Sequence, residues 1–490
     1  MSDILIGKKN EVYLQIECEP HIKQELCEYF TFEVPDAKFM PQYKKKFWDG
    51  KIRLFSPADG RLYIGLYHYL IEWAEEREYT YSTVENEFYG RVTERDPDIL
   101  PATVKEYMDF LTEGTPIKPR DYQYDAVFKA LKMYRKIILS PTGSGKSFMI
   151  YSLVRYFTAA HLKTLIIVPS ISLVTQLFKD FQDYGWNAED YCHQIYQGEA
   201  KVSDAPVVIT TWQSIYKLPK KYFDSYTAVI GDECHTFKAK SLTSIMTKLH
   251  EAKYRIGFTG TLDGTKTHRL VLEGLFGLSD RVTSTADLMK RDQLTQLKIK
   301  ILTLKHESCK FANYQDEMEY IVTHSKRNTF IKNLVSDLKE NTLVLFNYVE
   351  KHGEPLFDLI NNTIGDTKKV FFVHGGVAAS EREEIRRLAE LNDNCVIIAS
   401  YGTFSTGINI KNLHNIIFAS PSKSRIRNLQ SIGRVLRKGD NKAQAVLYDI
   451  ADDFSRGSYI NYTLNHLKER IKVYNEEQFN YEIIPVNIKK

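Results

Sequence analysis

Short apolar, β-branched runs separated by helix-length stretches dominate the chain from residue 117 onward. A first series covers 136–139, 164–168, 207–210, 228–231 and 255–259; a second covers 298–304, 342–347, 369–374, 395–399, 415–419 and 443–449. Runs that are apolar throughout, rather than alternating, mark strands covered by helices on both faces of a parallel sheet. The pattern predicts an α/β protein with two tandem doubly wound parallel-sheet domains. Ahead of them, residues 1–100 mix strand-like runs at 12–16 and 52–55 with a helical stretch at 68–78, which predicts a small N-terminal α/β domain. The polar final stretch predicts a helical C-terminal tail. The domain boundaries that follow are 1–105, 106–285, 286–455 and 456–490.

Composition narrows the class without naming a function. A chain of 490 residues is too long for one core. Hydrophobic content of 43% and charged content of 26% are those of a soluble globular protein. No apolar run approaches the roughly 18–20 residues that span a bilayer, and the first residues lack the order of a secretory signal. Six scattered cysteines form no CxxC pair, so neither a zinc module nor a disulfide framework is supported. A cytoplasmic protein with no membrane partner is expected. The net charge of +4 is too small to argue for nucleic acid by itself.

The chemistry begins where the 136–139 strand ends. Ser140-Pro141-Thr142-Gly143-Ser144-Gly145-Lys146-Ser147 is a P-loop with serine in place of its usual first glycine. Gly143 and Gly145 let the backbone aim its amides at phosphate oxygens. Lys146 supplies a point charge for the β/γ-phosphates, and Ser147 a hydroxyl for Mg²⁺. ATP and Mg²⁺ are the expected ligands. About 85 residues on, the 228–231 strand delivers Asp232-Glu233-Cys234-His235. Asp232 is placed to hold Mg²⁺ and Glu233 to orient and deprotonate the attacking water. Cys234 and His235 have no further ligands at a metal-binding spacing. In the second α/β series, Gln430, Arg434 and Arg437 recur at helical spacing, so they fall near one face. Two arginines there suit the charge that spreads over a transferred phosphoryl group.

These motifs, in this order, resemble the superfamily 2 helicases of the DExH kind over roughly residues 117–450. The resemblance implies two RecA-like domains. Pro119-Arg120-Asp121-Tyr122-Gln123 looks like the adenine-reading Q motif, with Gln123 pairing to the base and Arg120 and Tyr122 framing it. Pro169, Ser170 and Gln176 lie in a run similar to motif Ia, and Thr211 and Trp212 in one similar to motif Ib; both imply a grip on a nucleic-acid backbone. Thr259-Gly260-Thr261 occupies the place of motif III. Asn347 resembles motif IV, and His374 and Gly375 a loop on the tracking-strand path. The run from Ser400 through Thr403 and Gly407 to Asn409 looks like motif V, with Asn409 where many relatives carry aspartate. A closer resemblance is to the recombination helicases of T-even bacteriophages. It implies an ATP-dependent DNA helicase of recombination, repair and replication, working as a monomer in the host cytoplasm. The implied substrates are branched DNA (forks, Holliday junctions, displaced-strand loops) and RNA–DNA hybrids.

The residues alone support an ATP-driven motor in which two domains grip phosphates alternately without reading bases. In the N-terminal region, Tyr43-Lys44-Lys45-Lys46-Phe47-Trp48 and Arg53 interleave basic and aromatic residues, as surfaces that grip phosphates and stack on bases do. The competing reading makes Phe47, Trp48 and Ile52 core and the lysines a solvated face. Two other functions stay open: an RNA-directed DExH helicase, because discrimination rests on contacts to the 2′-OH, and an ATP-gated clamp that grips without travelling.

Overall fold

The computed structural model describes residues 2–35, 37–84, 89, 99–196, 198, 200–407, 410, 412–439, 442 and 444–488, with backbone alone at 379 and 405–407. It forms two compact units, Met1–Ser140 with Gly145–Val282, and Pro141–Ser144 with Thr283–Lys490. Among the described residues no helix is long and apolar enough to cross a membrane.

Each unit is built on a seven-stranded, wholly parallel sheet. The first runs Cys192–Ile195, Val207–Thr211, Thr164–Val168, Ala228–Asp232, Tyr254–Thr259, Arg135–Leu139, Ser279–Arg281. The second runs Lys369–Val373, Cys395–Ser400, Thr342–Phe346, Asn415–Phe418, Gln444–Asp453, Gln296–Lys305, Tyr481–Asn487. Numbered along the chain, both sheets have the order third, fourth, second, fifth, sixth, first, seventh. The central strands are buried end to end, Thr164–Val168 and Thr342–Phe346 among them. Helices on both faces leave no solvated side for polar residues to occupy.

The final stretch departs from the all-helical expectation. Helix Tyr462–Glu476 is followed by a left-handed turn at Gln478 and then by Tyr481–Asn487, which pairs with Gln296–Lys305. This strand lies on a sheet edge, where Pro485 costs no ladder bond on its open side. None of its residues is fully buried; Ile484 and Val486 pack half-buried against the core, and Ile483 is exposed.

The second unit holds two deeply buried ion pairs at the end of Gln444–Asp453. Arg327 grips Asp452 through Nε at 2.8 Å and Nη2 at 3.0 Å, and His306 Nε2 lies 2.8 Å from the same carboxylate. Arg470 Nε and the Tyr474 hydroxyl both donate to Asp449, at 2.8 and 2.9 Å.

The N-terminal segment folds as a five-stranded sheet in the order Phe55–Ser56, Arg61–Tyr63, Tyr13–Cys18, Ile4–Lys8, Tyr81–Thr83. The run expected at 52–55 is two strands. Lys51–Arg53 pairs with Thr31–Glu33 in a separate ribbon, and Phe55–Ser56 joins the larger sheet. Leu54 sits between them with its amide on the Phe30 carbonyl at 2.9 Å. The apolar face of this sheet and Leu70 and Trp73 of helix Tyr67–Glu76 merge with Ile137, Val229 and Phe276 into one core. Polar contacts pin the junction. The Tyr69 hydroxyl donates to buried Glu273 at 2.7 Å, and Arg135 Nη2 donates to the Glu11 carbonyl at 2.9 Å. At Gly65 a Cβ would stand 2.0 Å from the Glu273 carbonyl oxygen, so no side chain fits there.

Candidate active site

At the end of Arg135–Leu139 the Ser140 amide donates to the Thr259 carbonyl at 2.9 Å, tying the loop's first residue to the neighbouring strand. The chain then turns through Pro141, Thr142, Gly143, Ser144 and Gly145 into helix Lys146–Ala159. Gly143 and Gly145 have φ of 83° and 81°, a region glycine enters without penalty. At Gly145 space is a second constraint, because a Cβ would meet Gln123 Nε2 at 2.3 Å. The Ser144 hydroxyl closes the turn on the Pro141 carbonyl at 2.6 Å. No acidic residue occupies the helix's first turn, so its amides and its positive dipole end suit an anion.

Lys146 and the acidic pair meet at this turn. Lys146 Nζ donates to Glu233 Oε1 at 3.3 Å. Glu233 takes a left-handed conformation, φ 48°, directly after Ala228–Asp232, and its amide donates to Asp232 Oδ1 at 2.9 Å. A non-glycine residue held there is a costly conformation that clusters at functional sites. Burial, with Glu233 beside it, pushes the Asp232 carboxyl above the usual carboxylate range. Burial acts on Glu233 as well, but the Lys146 ammonium and His235 outweigh it and hold that carboxyl well below the usual range. Adjacent carboxylates, one of them resisting ionisation, beside a lysine and a hydroxyl fit a magnesium–triphosphate. Ser147 and Asp232 would hold the metal.

Gln123 and Arg120 also serve the helix they begin. Gln123 Oε1 accepts from the Arg120 amide at 2.9 Å at the start of Asp121–Met133, and Arg120 Nη1 donates to the Tyr122 hydroxyl at 2.7 Å. The buried Gln123 thus joins this cap to the P-loop.

Three functional side chains were missed in the sequence. His235, considered there only as a metal ligand, has Nδ1 at 2.9 Å from Thr259 Oγ1 and 3.3 Å from Glu233 Oε2. It thereby links the acidic pair to the Thr259-Gly260-Thr261 turn. The Tyr184 hydroxyl lies 2.7 Å from Ser147 Oγ, and no local pattern marks it. In the second unit, Arg427 Nη1 donates to Asn347 Oδ1 at 3.2 Å and its guanidinium lies 5.7 Å from the Tyr401 ring.

The motif VI segment corrects one expectation. Helix Arg425–Val435 carries Gln430 and Arg434, but Arg437 lies beyond its end, so the three do not share a helical face. Arg434 stands 5.7 Å from the Phe404 ring. The Arg437 backbone is held by Lys442 Nζ at 3.2 Å from its carbonyl and by Thr295, whose amide donates to the Leu436 carbonyl at 2.9 Å.

The remaining expected contacts are spread over loops. Ser170 and Ser172 hydroxyls lie 3.0 Å apart beside half-buried Pro169, and exposed Gln176 donates to Asp180 at 2.7 Å. Thr211 and Ser214 hydroxyls lie 3.0 Å apart, and Trp212 packs edge-on against Tyr216. His374 Nδ1 accepts from the Gly376 amide at 3.2 Å, and Gly375 faces open space. The Thr403 amide donates to Ser400 Oγ at 3.3 Å. Gly407 ends helix Tyr401–Gly407, and Asn409 lies outside the described residues. Lys44, Lys45 and Lys46 are exposed, while Arg53 pairs with Asp49 at 2.5 Å.

Three family descriptions match parts of the chain. They are DNA helicase UvsW, N-terminal, over residues 3–84; type III restriction enzyme, res subunit, over 116–264; and helicase conserved C-terminal domain, over 325–439. The ATP-dependent DNA helicase uvsW of Enterobacteria phage T4 is 34% identical, spanning 99% of this chain and 100% of that protein. The DNA 3'-5' translocase XPB2 of Sulfurisphaera tokodaii is 25% identical over 76% of this chain and 91% of its own. The crystal structure of T4 UvsW matches with a TM-score of 0.52 at 33% identity, over 99% of this chain and 100% of that one. The DNA-bound type ISP restriction-modification enzyme LlaBIII, 18% identical, covers 76% of this chain and 32% of its own at a TM-score of 0.56, a likeness of fold.

Proposed function

This chain belongs to the UvsW family of ATP-dependent DNA helicases, and from that premise we propose that it is a motor that remodels branched DNA. The observation that carries the reading is the Lys146–Glu233 contact of 3.3 Å, where the P-loop lysine meets the acidic strand end. Lys146 exchanges Glu233 for the β/γ-phosphates when ATP arrives. Glu233 is then released to orient the attacking water and take its proton. Ser147 and Asp232 would hold Mg²⁺, which would neutralise charge on the phosphates. Gln123, Arg120 and Tyr122 select adenine, with Gly407 and Asn409 at the ribose. Gln430, Arg434 and Arg437 act on the transferred phosphoryl group.

His235 and Thr259 couple the state of Glu233 to the loop that follows Tyr254–Thr259, because a shift of the carboxylate moves a hydrogen-bonded neighbour. Pro169, Ser170, Gln176, Thr211, Trp212, Asn347, His374, Gly375 and Thr403 contact the tracked strand. Lys44, Lys45, Lys46 and Arg53 contact a duplex arm, and Arg53 exchanges Asp49 for phosphate, since an exposed ion pair of this kind is weak. The protein acts as a monomer in the host cytoplasm, on forks, junctions, displaced-strand loops and RNA–DNA hybrids.

ATP hydrolysis by the wild type and by Lys146→Ala, with no nucleic acid, duplex DNA, forked DNA and single-stranded RNA, tests this. Stimulation greatest on forks and absent from the variant supports a branched-DNA motor. Stimulation chiefly by RNA moves the protein to the RNA-helicase reading. Stimulation by none leaves an ATPase without a motor.

A further inference from the structure

Phe47 is 82% exposed and Phe39 63%, and Met40 and Tyr43 between them are exposed as well. The core alternative for Phe47 is therefore excluded. Four lysines, Lys38, Lys44, Lys45 and Lys46, share this short stretch, and residues 37–48 contain no acid. The whole loop, 34–50, also holds Asp36 and Asp49 and carries a net +2.

The aromatic side chains are presented on a fixed frame. The loop hangs from the ribbon of Thr31–Glu33 and Lys51–Arg53 and is closed by Val34 N to the Gly50 carbonyl at 2.8 Å. A short helix, Pro41–Lys44, follows Ala37, which is buried. Lys46 takes φ 58°, and the chain reverses so that the Phe47 amide donates to the Gln42 carbonyl at 3.0 Å. Gly50 has φ 80°, and a Cβ there would lie 3.1 Å from both Ala37 Cβ and the Tyr43 ring. A large apolar ring kept in water on an ordered turn, directly after three exposed lysines in the chain, matches a ligand that offers both a π-face and negative charge. A nucleic-acid branch point offers both, because its terminal base pair has one unstacked face and its arms carry phosphates.

We infer that Phe47 stacks on the exposed base pair at a DNA branch point while Lys44, Lys45 and Lys46 hold the flanking phosphates. The inference deepens the branched-DNA reading and rests on it. It assigns branch preference to ring stacking on a base-pair face set between phosphate-bearing arms, a face that a continuous duplex does not offer and a bare single strand offers without the arms.

The test uses the full chain carrying Phe47→Ala or Phe47→Trp, with a three-way fork, a blunt duplex and a single strand of matched length. Loss of one stacking contact lowers fork affinity on the order of tenfold. Phe47→Ala is expected to reduce the fork-to-single-strand ratio of stimulated ATPase by that factor. Phe47→Trp should restore the ratio and show tryptophan quenching on the fork beyond that of the wild type. A ratio unchanged in Phe47→Ala, with no added quenching in Phe47→Trp, overturns the inference, as expected if the patch docks a protein instead. A wild type that shows no preference for forks brings down the branched-DNA reading itself; a wild-type preference that survives Phe47→Ala brings down only the stacking.

Discussion

The two seven-stranded sheets share one strand order, yet they treat the carboxylates at their strand ends in opposite ways. In the first, Asp232 and Glu233 stand side by side, and Glu233 meets Lys146, whose proposed role is to leave for a phosphate. In the second, Asp452 and Asp449 are covered by Arg327 and Arg470 and are wholly buried. Position on the sheet therefore does not decide whether an acid is chemical or structural. What decides is whether the protein has already supplied a guanidinium, which cannot give up its charge and, at Asp452, forks onto both oxygens.

The comparison predicts opposite responses to similar changes. The largest effect is expected from Lys146→Ala or Glu233→Gln, which should lower DNA-stimulated ATP turnover by on the order of 10²–10³ while leaving thermal unfolding near the wild type. Arg327→Met should do the reverse. It strands Asp452 in the core and costs about 3–5 kcal/mol in denaturant unfolding, more than any change at the acidic pair. Asp232→Asn sharpens the contrast further. It relieves the repulsion of two adjacent carboxylates, so turnover should fall without a lower unfolding midpoint. An Asp232→Asn variant destabilised as much as Arg327→Met would erase the distinction.

A pH series gives a smaller signal. Burial opposes ionisation of Asp452, but Arg327 and His306 outweigh it and hold the carboxyl at about 2, below its ordinary 3.8. The stability this gives is complete above about pH 4 and is lost as pH falls toward 2. It is worth about 2 kcal/mol. Acid unfolding of Asp452→Asn should lack that component. The smallest effect is expected at Lys442, whose Nζ donates to the Val435 and Arg437 carbonyls; Lys442→Met should lower kcat about tenfold with little change in KM for ATP, and Lys442→Arg should recover part of it.

Much of this architecture was legible in the chain because most inner strands of the large sheets are apolar runs, and 164–168 coincides with Thr164–Val168 to the residue; the polar strands Cys192–Ile195 and Ser279–Arg281 carry no such signal. The N-terminal sheet was read less well. Arg61–Tyr63 and Tyr81–Thr83 are three residues long and half-buried, too short to establish a period. The edge strand Tyr481–Asn487 was hidden for a related reason, since none of its residues is fully buried and Glu482 and Pro485 interrupt its apolar run. At the site, the P-loop and acidic pair announce themselves because their chemistry is local. Tyr184 and Arg427 do not, because their partners Ser147 and Asn347 are 37 and 80 positions away. The end of the motif VI helix at Val435, short of Arg437, was equally hidden: helical spacing was assumed to persist where the chain instead turns to meet Thr295 and Lys442.

The core that runs unbroken from Trp73 to Phe276 bears on inheritance and engineering. A domain joined by a linker can be exchanged between proteins as a cassette. This one cannot, because removing residues 1–84 would strip the lining from the underside of the first sheet and leave Glu273 without Tyr69. A minimal motor begun near residue 106 should aggregate where the full chain stays soluble. Variation in what the N-terminal segment recognises is thereby channelled into the ribbon-borne loop, the part that can change without disturbing the foundation it shares with the motor.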